Sequence, residues 1–107
     1  TMDAKKRKRL EKAGWSVGDA AVFLNLSPEE AALVEMRVAL SRSLRARRLA
    51  AGLTQTTLAE QLGSSQSRVA KLEAADPSVS LELLIRALLA VGASRKDVAS
   101  ALSQRVA

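Results

Sequence analysis

The chain has 107 residues, with 17 Lys or Arg against 11 Asp or Glu and a formal net charge of +6 at pH 7. This length suits one small domain, or a domain with an arm, and allows only a modest core. The sequence contains no Cys and no His, which excludes disulfides and thiolate metal sites and removes the commonest general base. We therefore expect no enzyme, no metal and no cofactor. No stretch is long and apolar enough to cross a membrane, so we expect a cytoplasmic protein.

The positive charge is unevenly distributed. Residues 1–12 carry six Lys or Arg and two acids, residues 13–36 carry four acids and no base, and residues 37–71 carry seven bases and one acid. The surplus of positive charge therefore lies in an N-terminal arm and around residues 37–71, as on a surface that binds phosphates. One Trp, one Phe and no Tyr argue against the stacking of single-stranded bases.

Residues 1–12 are interpreted as a basic arm. Two interpretations of the arm are open: a solvated tail, and an additional contact to nucleic-acid phosphates. The second rests on the fact that polybasic arms add affinity with little sequence preference. Under the second interpretation the contacting side chains are Lys5, Lys6, Arg7, Lys8 and Arg9.

Residues 13–26 form a short apolar unit, with a helix predicted over about 17–24. The unit contains Trp15 and Phe23, the two aromatic residues of the chain. We favour the packing of these rings against the helix that follows. The alternative is a docking surface for another protein.

A domain over residues 27–107 follows. Ser27-Pro28-Glu29-Glu30 is typical of a helix start, with serine as N-cap, proline at the first position and a capping box. The helix is predicted to run to about Ala50, before Gly52. Its apolar stripe is predicted at three- and four-residue steps and consists of Leu33, Met36 or Arg37, Leu40 and Leu44.

Residues 53–73 predict two short helices joined by a tight turn. Thr54 is a good N-cap for the first helix, and Gly63 suits the left-handed conformation in which helices commonly end. Ser65 can cap the second helix, which is predicted from Gln66 to about Ala75. Val69 and Leu72 are its inward positions. The remaining side chains of its first turn and a half then face outward: Gln66, Ser67, Arg68 and Lys71.

This stretch is similar to the phage repressor/Cro (XRE) family of helix-turn-helix proteins. The resemblance covers about residues 40–92 and is carried by Leu53-Thr54-Gln55, Leu58-Ala59, Leu62-Gly63, Ser65-Gln66-Ser67, Val69 and Leu72-Glu73. It implies an all-α, lambda-repressor-like bundle of about five to six helices that binds double-stranded DNA, usually as a homodimer. One departure is that the family often has a glycine after the glutamate, where this chain continues Ala74-Ala75-Asp76-Pro77. We expect a changed exit path from the helix.

The resemblance also implies roles for individual residues. Base reading falls to Gln66, Ser67, Arg68 and Lys71, because glutamine pairs well with adenine and arginine with guanine. Contacts to the DNA backbone are expected from Thr54, Gln55, Arg45, Arg47 and Arg48, in addition to the arm.

Two helices complete the predicted fold, one over 81–91 and one that begins after Ser94. The last helix carries an apolar stripe that either closes the core or pairs with a second copy. Because dimerisation through the C-terminus is common in this family, the dimer candidates are Val98, Leu102 and Val106.

The favoured function is a sequence-specific DNA-binding regulator, most often a repressor. The chain also resembles small HigA-type antitoxins, which repress their own operon and neutralise a RelE/HigB-like RNase toxin. Two less favoured interpretations are a structural helical hairpin and a basic protein that binds DNA or a membrane surface without specificity.

Overall fold

The structure is a computed structural model that describes residues 25–104. The basic arm, most of the apolar unit including Trp15 and Phe23, and Val106 lie outside the described residues. The expectations about them stay predictions.

The first helix, α1, spans Pro28–Ala50. Its start is the capping box that the sequence predicts. The Ser27 hydroxyl accepts from the Glu30 N–H, and the Glu30 carboxylate accepts from the Ser27 N–H, each at 3.1 Å. These bonds to Ser27 lower the pKa of Glu30 from its ordinary value, because they favour the ionised carboxylate.

Four shorter helices follow: α2 (Gln55–Leu62), α3 (Gln66–Glu73), α4 (Leu81–Ala90) and α5 (Arg95–Leu102). A Ser or Thr hydroxyl caps the start of each one by accepting a backbone N–H. The α1 helix packs against α3, α4 and α5, and α2 packs against α3 and α4. No strand occurs between residues 25 and 104, so the expected small all-α bundle is confirmed.

The core of the described domain is aliphatic. Its largest fully buried side chains are Leu40, Leu44, Leu58, Leu72, Leu84, Leu88 and Val69. They come from α1, α2, α3 and α4, so a single core holds the two helices of the motif against the rest of the bundle. Across the described helices, none has the length and apolar character that a membrane span requires.

The α1 stripe is only half buried, which corrects the sequence expectation. Leu40 and Leu44 are fully buried, whereas Leu33 is 54% exposed and Met36 is 38% exposed. The reason is length. At 1.5 Å per residue, α1 is roughly 34 Å long, while the 8 to 10 residues of the other helices give roughly 12–15 Å each. The described helices therefore cover the first half of α1 only in part and leave Leu33 and Met36 exposed.

Two further expectations are corrected, one on α5 and one at the end of α3. Val98 is a member of the bundle's own core, so its side chain is not available to a second copy. Leu102 is 36% exposed and stays a candidate for the dimer contact. The α3 helix ends at Glu73, two residues before its predicted end.

The early end of α3 has a local cause. Ala75 has φ +56°, in the left-handed region that glycine favours. The Asp76 N–H donates to the Lys71 carbonyl at 3.0 Å, and the Ala75 N–H donates to the Leu72 carbonyl at 3.3 Å, which is the pattern of a Schellman motif. An alanine thus occupies a position where glycine is usual, and the changed exit path relative to the family stays a prediction.

Candidate nucleic-acid interface

The turn between α2 and α3 fixes the geometry of the motif. Gly63 ends α2 with φ +63°, and Ser65 begins the next helix because its hydroxyl accepts the Arg68 N–H at 3.2 Å. Leu58 and Ala59 are buried against the neighbouring helices. The small Ala59 side chain permits the close approach of the two helices. The result is the helix-turn-helix that the sequence predicts.

The inner side of α3 is held by packing and by one buried hydrogen bond. Val69 and Leu72 are fully buried. The Ser41 hydroxyl, on α1, donates to the Leu72 carbonyl at 2.7 Å. Further along the chain, Arg37 Nη1 donates to the Val79 carbonyl at 2.6 Å and fastens the segment after α3 to the same helix. The α1 helix therefore determines where α3 lies.

The outer side of α3 presents polar and basic side chains to solvent. All four predicted base-reading residues are exposed: Gln66, Ser67, Arg68 and Lys71. Between residues 25 and 104, no hydrogen bond or ion pair engages the side-chain nitrogens of Arg68 or Lys71. The structure thus brings the four residues together on one accessible surface, and its two cations are available to an anionic partner.

A chain of side-chain amides connects the starts of the two motif helices. Gln66 Nε2 donates to Gln55 Oε1 at 2.7 Å, and Gln55 Nε2 donates to Glu73 Oε1 at 3.1 Å. Gln55 is half-buried and Gln66 is exposed. Because each amide has one bond to the next group, the Gln66 side chain is held in a defined orientation at the edge of the outer surface.

Arg48 belongs to this network and not to the exposed surface. The residue is only 8% exposed. Its Nε and Nη2 donate to the two carboxylate oxygens of Glu73, and its Nη1 donates to the Leu53 carbonyl at 2.8 Å. The hydrogen bonds to Glu73 raise the pKa of Arg48. We therefore withdraw Arg48 from the expected contacts to the DNA backbone, because its guanidinium is covered and each of its three nitrogens already donates a hydrogen bond within the domain.

The other predicted backbone contacts differ in their accessibility. Arg45 is exposed, and in the described part of the chain no hydrogen bond engages its side chain. Arg47 Nη2 lies 3.4 Å from Asp97 Oδ2, and both side chains are about two-fifths exposed. Thr54 is exposed and its hydroxyl accepts the Thr57 N–H at 3.0 Å, so it caps α2. Gln55 bridges Gln66 and Glu73, as described above.

Sequence reasoning missed the residues that support the interface. Glu73 lies 25 residues from Arg48, and Ser41 lies 31 residues from Leu72. No local pattern connects such pairs. The one available signal was compositional. Ser41 and Arg48 interrupt an otherwise apolar side of α1, and buried polar groups need partners.

Comparison with known proteins identifies the class. The family model described as helix-turn-helix matches residues 44–98, from the second half of α1 into α5 and about half of the chain. The chain belongs to this helix-turn-helix family, in its XRE type. It is accordingly a DNA-binding transcription regulator. No match was found among curated proteins or among solved structures.

Proposed function

We propose that this protein is a sequence-specific repressor that binds its operator as a dimer, with α3 in the major groove. The observation that carries the proposal is the contrast between the exposed outer side and the buried inner side of α3. The outer side offers Ser67, Arg68 and Lys71 to solvent, while the inner side is fixed by Val69 and Leu72. A helix with this arrangement suits the major groove, which is wide enough to admit it.

Specificity is assigned to the first turns of α3. Arg68 is suited to a paired hydrogen bond with guanine, and Gln66 to one with adenine. The bond from Gln66 to Gln55 supports this role, because an amide held in place loses less freedom on binding. Ser67 completes the base-reading set. Lys71 lies further along the helix and is assigned to a base or a phosphate.

Affinity is assigned to basic and polar residues around the motif. Arg45 and Arg47 lie in the last turns of α1, and Thr54 and Gln55 lie at the start of α2. In the proposed complex they contact the DNA backbone, together with Lys5, Lys6, Arg7, Lys8 and Arg9 of the arm. Arg48 supports these contacts indirectly by holding Glu73. Binding through phosphates releases counterions, so affinity falls as salt increases.

The dimer follows from the way such motifs read DNA. Two copies that are related by a two-fold axis place their α3 helices on successive major grooves, about 34 Å apart. The operator is then a palindrome. Repression results when the bound dimer covers a promoter. Leu102 is the described residue best suited to a contact between copies, because it is apolar and partly exposed.

The test is a selection of bound duplexes from a random pool with the full chain. We expect enrichment of a palindrome whose half-sites are about one helical turn apart. An enriched single half-site would contradict the dimer and keep the base-reading surface. A pool that remains random after repeated selection would contradict sequence specificity. Repression is tested separately, with a reporter gene placed behind the selected site.

The antitoxin function is the second candidate. The observation that favours it is the additional apolar unit over residues 13–26, which precedes the helix that positions α3. An antitoxin of this type would also bind a small RelE/HigB-like RNase. Co-expression with the product of the adjacent gene tests this function. A co-purifying complex supports it, and two separately eluting proteins count against it.

We propose that both functions act by binding alone, without catalysis, metal or cofactor. The support is the absence of Cys and His from the sequence. The cytoplasm stays the predicted location.

A further inference from the structure

The apolar stripe of α1 continues from the core to an exposed end. Leu33 lies seven and eleven residues before Leu40 and Leu44, so all three fall on one side of the helix. Leu40 and Leu44 are fully buried, whereas Leu33 is 54% exposed. The apolar side of α1 thus continues beyond the part of the bundle that covers it.

Other apolar groups gather at the same place. A groove runs between the first half of α1 and the end of α5, and it is lined by Ala32, Glu35, Met36, Leu102, Ser103 and Gln104. We call this groove the α1–α5 groove. Of the five large hydrophobic residues that are exposed in the described domain, Met36 and Leu102 line it, and Leu33 directly follows the lining residue Ala32 on α1. Scattered exposed leucines need no explanation, but a cluster marks a surface that binds something.

We infer that residues 13–24 of the same chain pack into the α1–α5 groove, with Trp15 and Phe23 as the anchors. The first argument is position. Residue 24 is joined to Pro28 by three residues, and Leu33 and Met36 lie only five and eight residues into α1. At 1.5 Å per residue these distances are roughly 8 and 12 Å along the helix. A segment of twelve residues spans roughly 18 Å as a helix and roughly 40 Å when extended, so it is long enough to reach Leu33 and Met36 in either form.

The second argument is chemical. The described domain contains no aromatic ring, and both rings of the chain lie in this segment. Large apolar side chains bury the most surface per residue. Val17, Val22 and Leu24 add further apolar surface beside the rings. The segment therefore supplies large aromatic side chains, which the described domain does not contain.

The third argument is the tether. A segment attached next to its binding surface has an effective concentration in the millimolar range. A second copy or a separate protein must reach a comparable concentration to displace it. The attached segment is therefore the favoured occupant, and the matched motif is only part of a larger folded unit.

Trp15 is the only tryptophan of the chain, so its fluorescence reports on the segment directly. The experiment compares the full wild-type chain with the double variant Leu33→Gln/Met36→Gln. The matched control is Leu89→Gln, a leucine that is 47% exposed on α4. Glutamine favours helices, so these changes remove apolar surface without breaking α1 or α4. Circular dichroism and DNA binding confirm that each variant is folded.

We expect a blue-shifted Trp15 emission and slow quenching by acrylamide in the wild type, at every protein concentration. In the double variant we expect a shift to the red and a several-fold faster quenching, and in the control no change. A wild-type Trp15 as exposed as free tryptophan overturns the inference and leaves the groove to another protein. Shielding that disappears on dilution also overturns it, because the occupant is then a second copy. Shielding that the double variant retains overturns it as well, because Trp15 then packs elsewhere.

Discussion

The two sides of α3 differ in burial and in the partners that their side chains contact. On the inner side, Leu72 and Glu73 contact α1 through a fully buried side chain, a hydrogen bond from Ser41 and the ion pair with Arg48. On the outer side, Arg68 and Lys71 are exposed, and their side-chain nitrogens make no hydrogen bond or ion pair in the described domain. An eight-residue helix is too short to be stable alone, so the inner side must supply its stability.

The two sides of α3 have separate tasks. The inner residues determine the position of α3, and the outer residues are free to determine what it binds. Gln66 stands between the two sets, because it is exposed but is connected through Gln55 to Glu73. Substitutions on the inner side should therefore change stability first. Substitutions on the outer side should change DNA binding alone.

The largest expected effect is on the inner side. Glu73→Gln leaves the buried Arg48 guanidinium without its counter-charge, and the loss of one partner from a buried pair costs about 3–5 kcal/mol. We expect the free energy of unfolding, measured in urea, to fall by that amount. A loss below about 1 kcal/mol would place this pair among exposed ion pairs, which contribute little.

The double variant Arg48→Met/Glu73→Gln is the matched control. It removes the uncompensated charge and keeps an apolar side chain of similar length. We expect it to recover most of the stability lost in Glu73→Gln, because the main cost is the unpaired guanidinium. Equal losses in the single and double variants would contradict this explanation, and they would point instead to the bond from Arg48 to the Leu53 carbonyl, which the double variant also lacks.

The next effect is on the outer side. Arg68→Ala should lower affinity for the selected operator by ~1–3 kcal/mol, or roughly 5- to 150-fold, if the guanidinium makes a paired contact to guanine. The free energy of unfolding should change by less than about 0.5 kcal/mol, as for most surface substitutions. A gel-shift titration and a urea titration measure the two quantities.

The control for Arg68→Ala is Arg86→Ala, which removes an exposed arginine from α4. It should leave operator affinity nearly unchanged, because it lies outside the motif. If both variants weaken binding equally, net charge explains the loss, and Arg68 is not a base-reading residue.

The sequence predicted the parts of the fold that depend on neighbouring residues. The capping box at Ser27 and Glu30, the left-handed Gly63 and the cap at Ser65 each involve residues within a few positions. The exposed outer side of α3 followed from its helical period. What could not be predicted depends on residues far apart in the chain. The partner of Arg48 is the main example, since an arginine beside three others reads as one more exposed cation.

The extent of burial along α1 could not be predicted from the sequence either. Its apolar period continues through Leu33 and Met36, but burial also depends on how far the other helices extend. The same holds for Val98, whose period fits both a core position and a contact between copies. Periodicity identifies an apolar side and does not identify what covers it.

A smaller effect separates affinity from specificity on the outer side. Lys71→Ala should weaken binding to the operator and to random DNA by similar factors, if the ammonium contacts a phosphate. The slope of log affinity against log salt should then decrease by about 1. Fluorescence anisotropy at several salt concentrations measures this slope. A loss confined to the operator would instead make Lys71 a base-reading residue.

The smallest expected effect concerns the exposed pair at the end of α1, next to the buried one. The pKa of Asp97 lies below its ordinary value of 3.8, first because of its hydrogen bonds with the Ser94 backbone and side chain and then because Arg47 is near. A depressed folded-state pKa means that the carboxylate stabilises the fold above pH 3.8 and that this contribution is lost as pH falls through the folded-state value. Asp97→Asn should therefore melt slightly below the wild type at neutral pH, and the two melting temperatures should converge in acid.

The contribution of Arg47 to this effect is measured by making Asp97→Asn a second time, in a chain that already carries Arg47→Ala. Most of the difference in melting temperature should persist there, because the bonds with Ser94 dominate the pKa of Asp97. If the difference disappears without Arg47, the ion pair is the main contribution. The Arg47–Asp97 ion pair would then stabilise the fold although it is exposed. Exposure alone would not separate its contribution to stability from that of the buried Arg48–Glu73 pair.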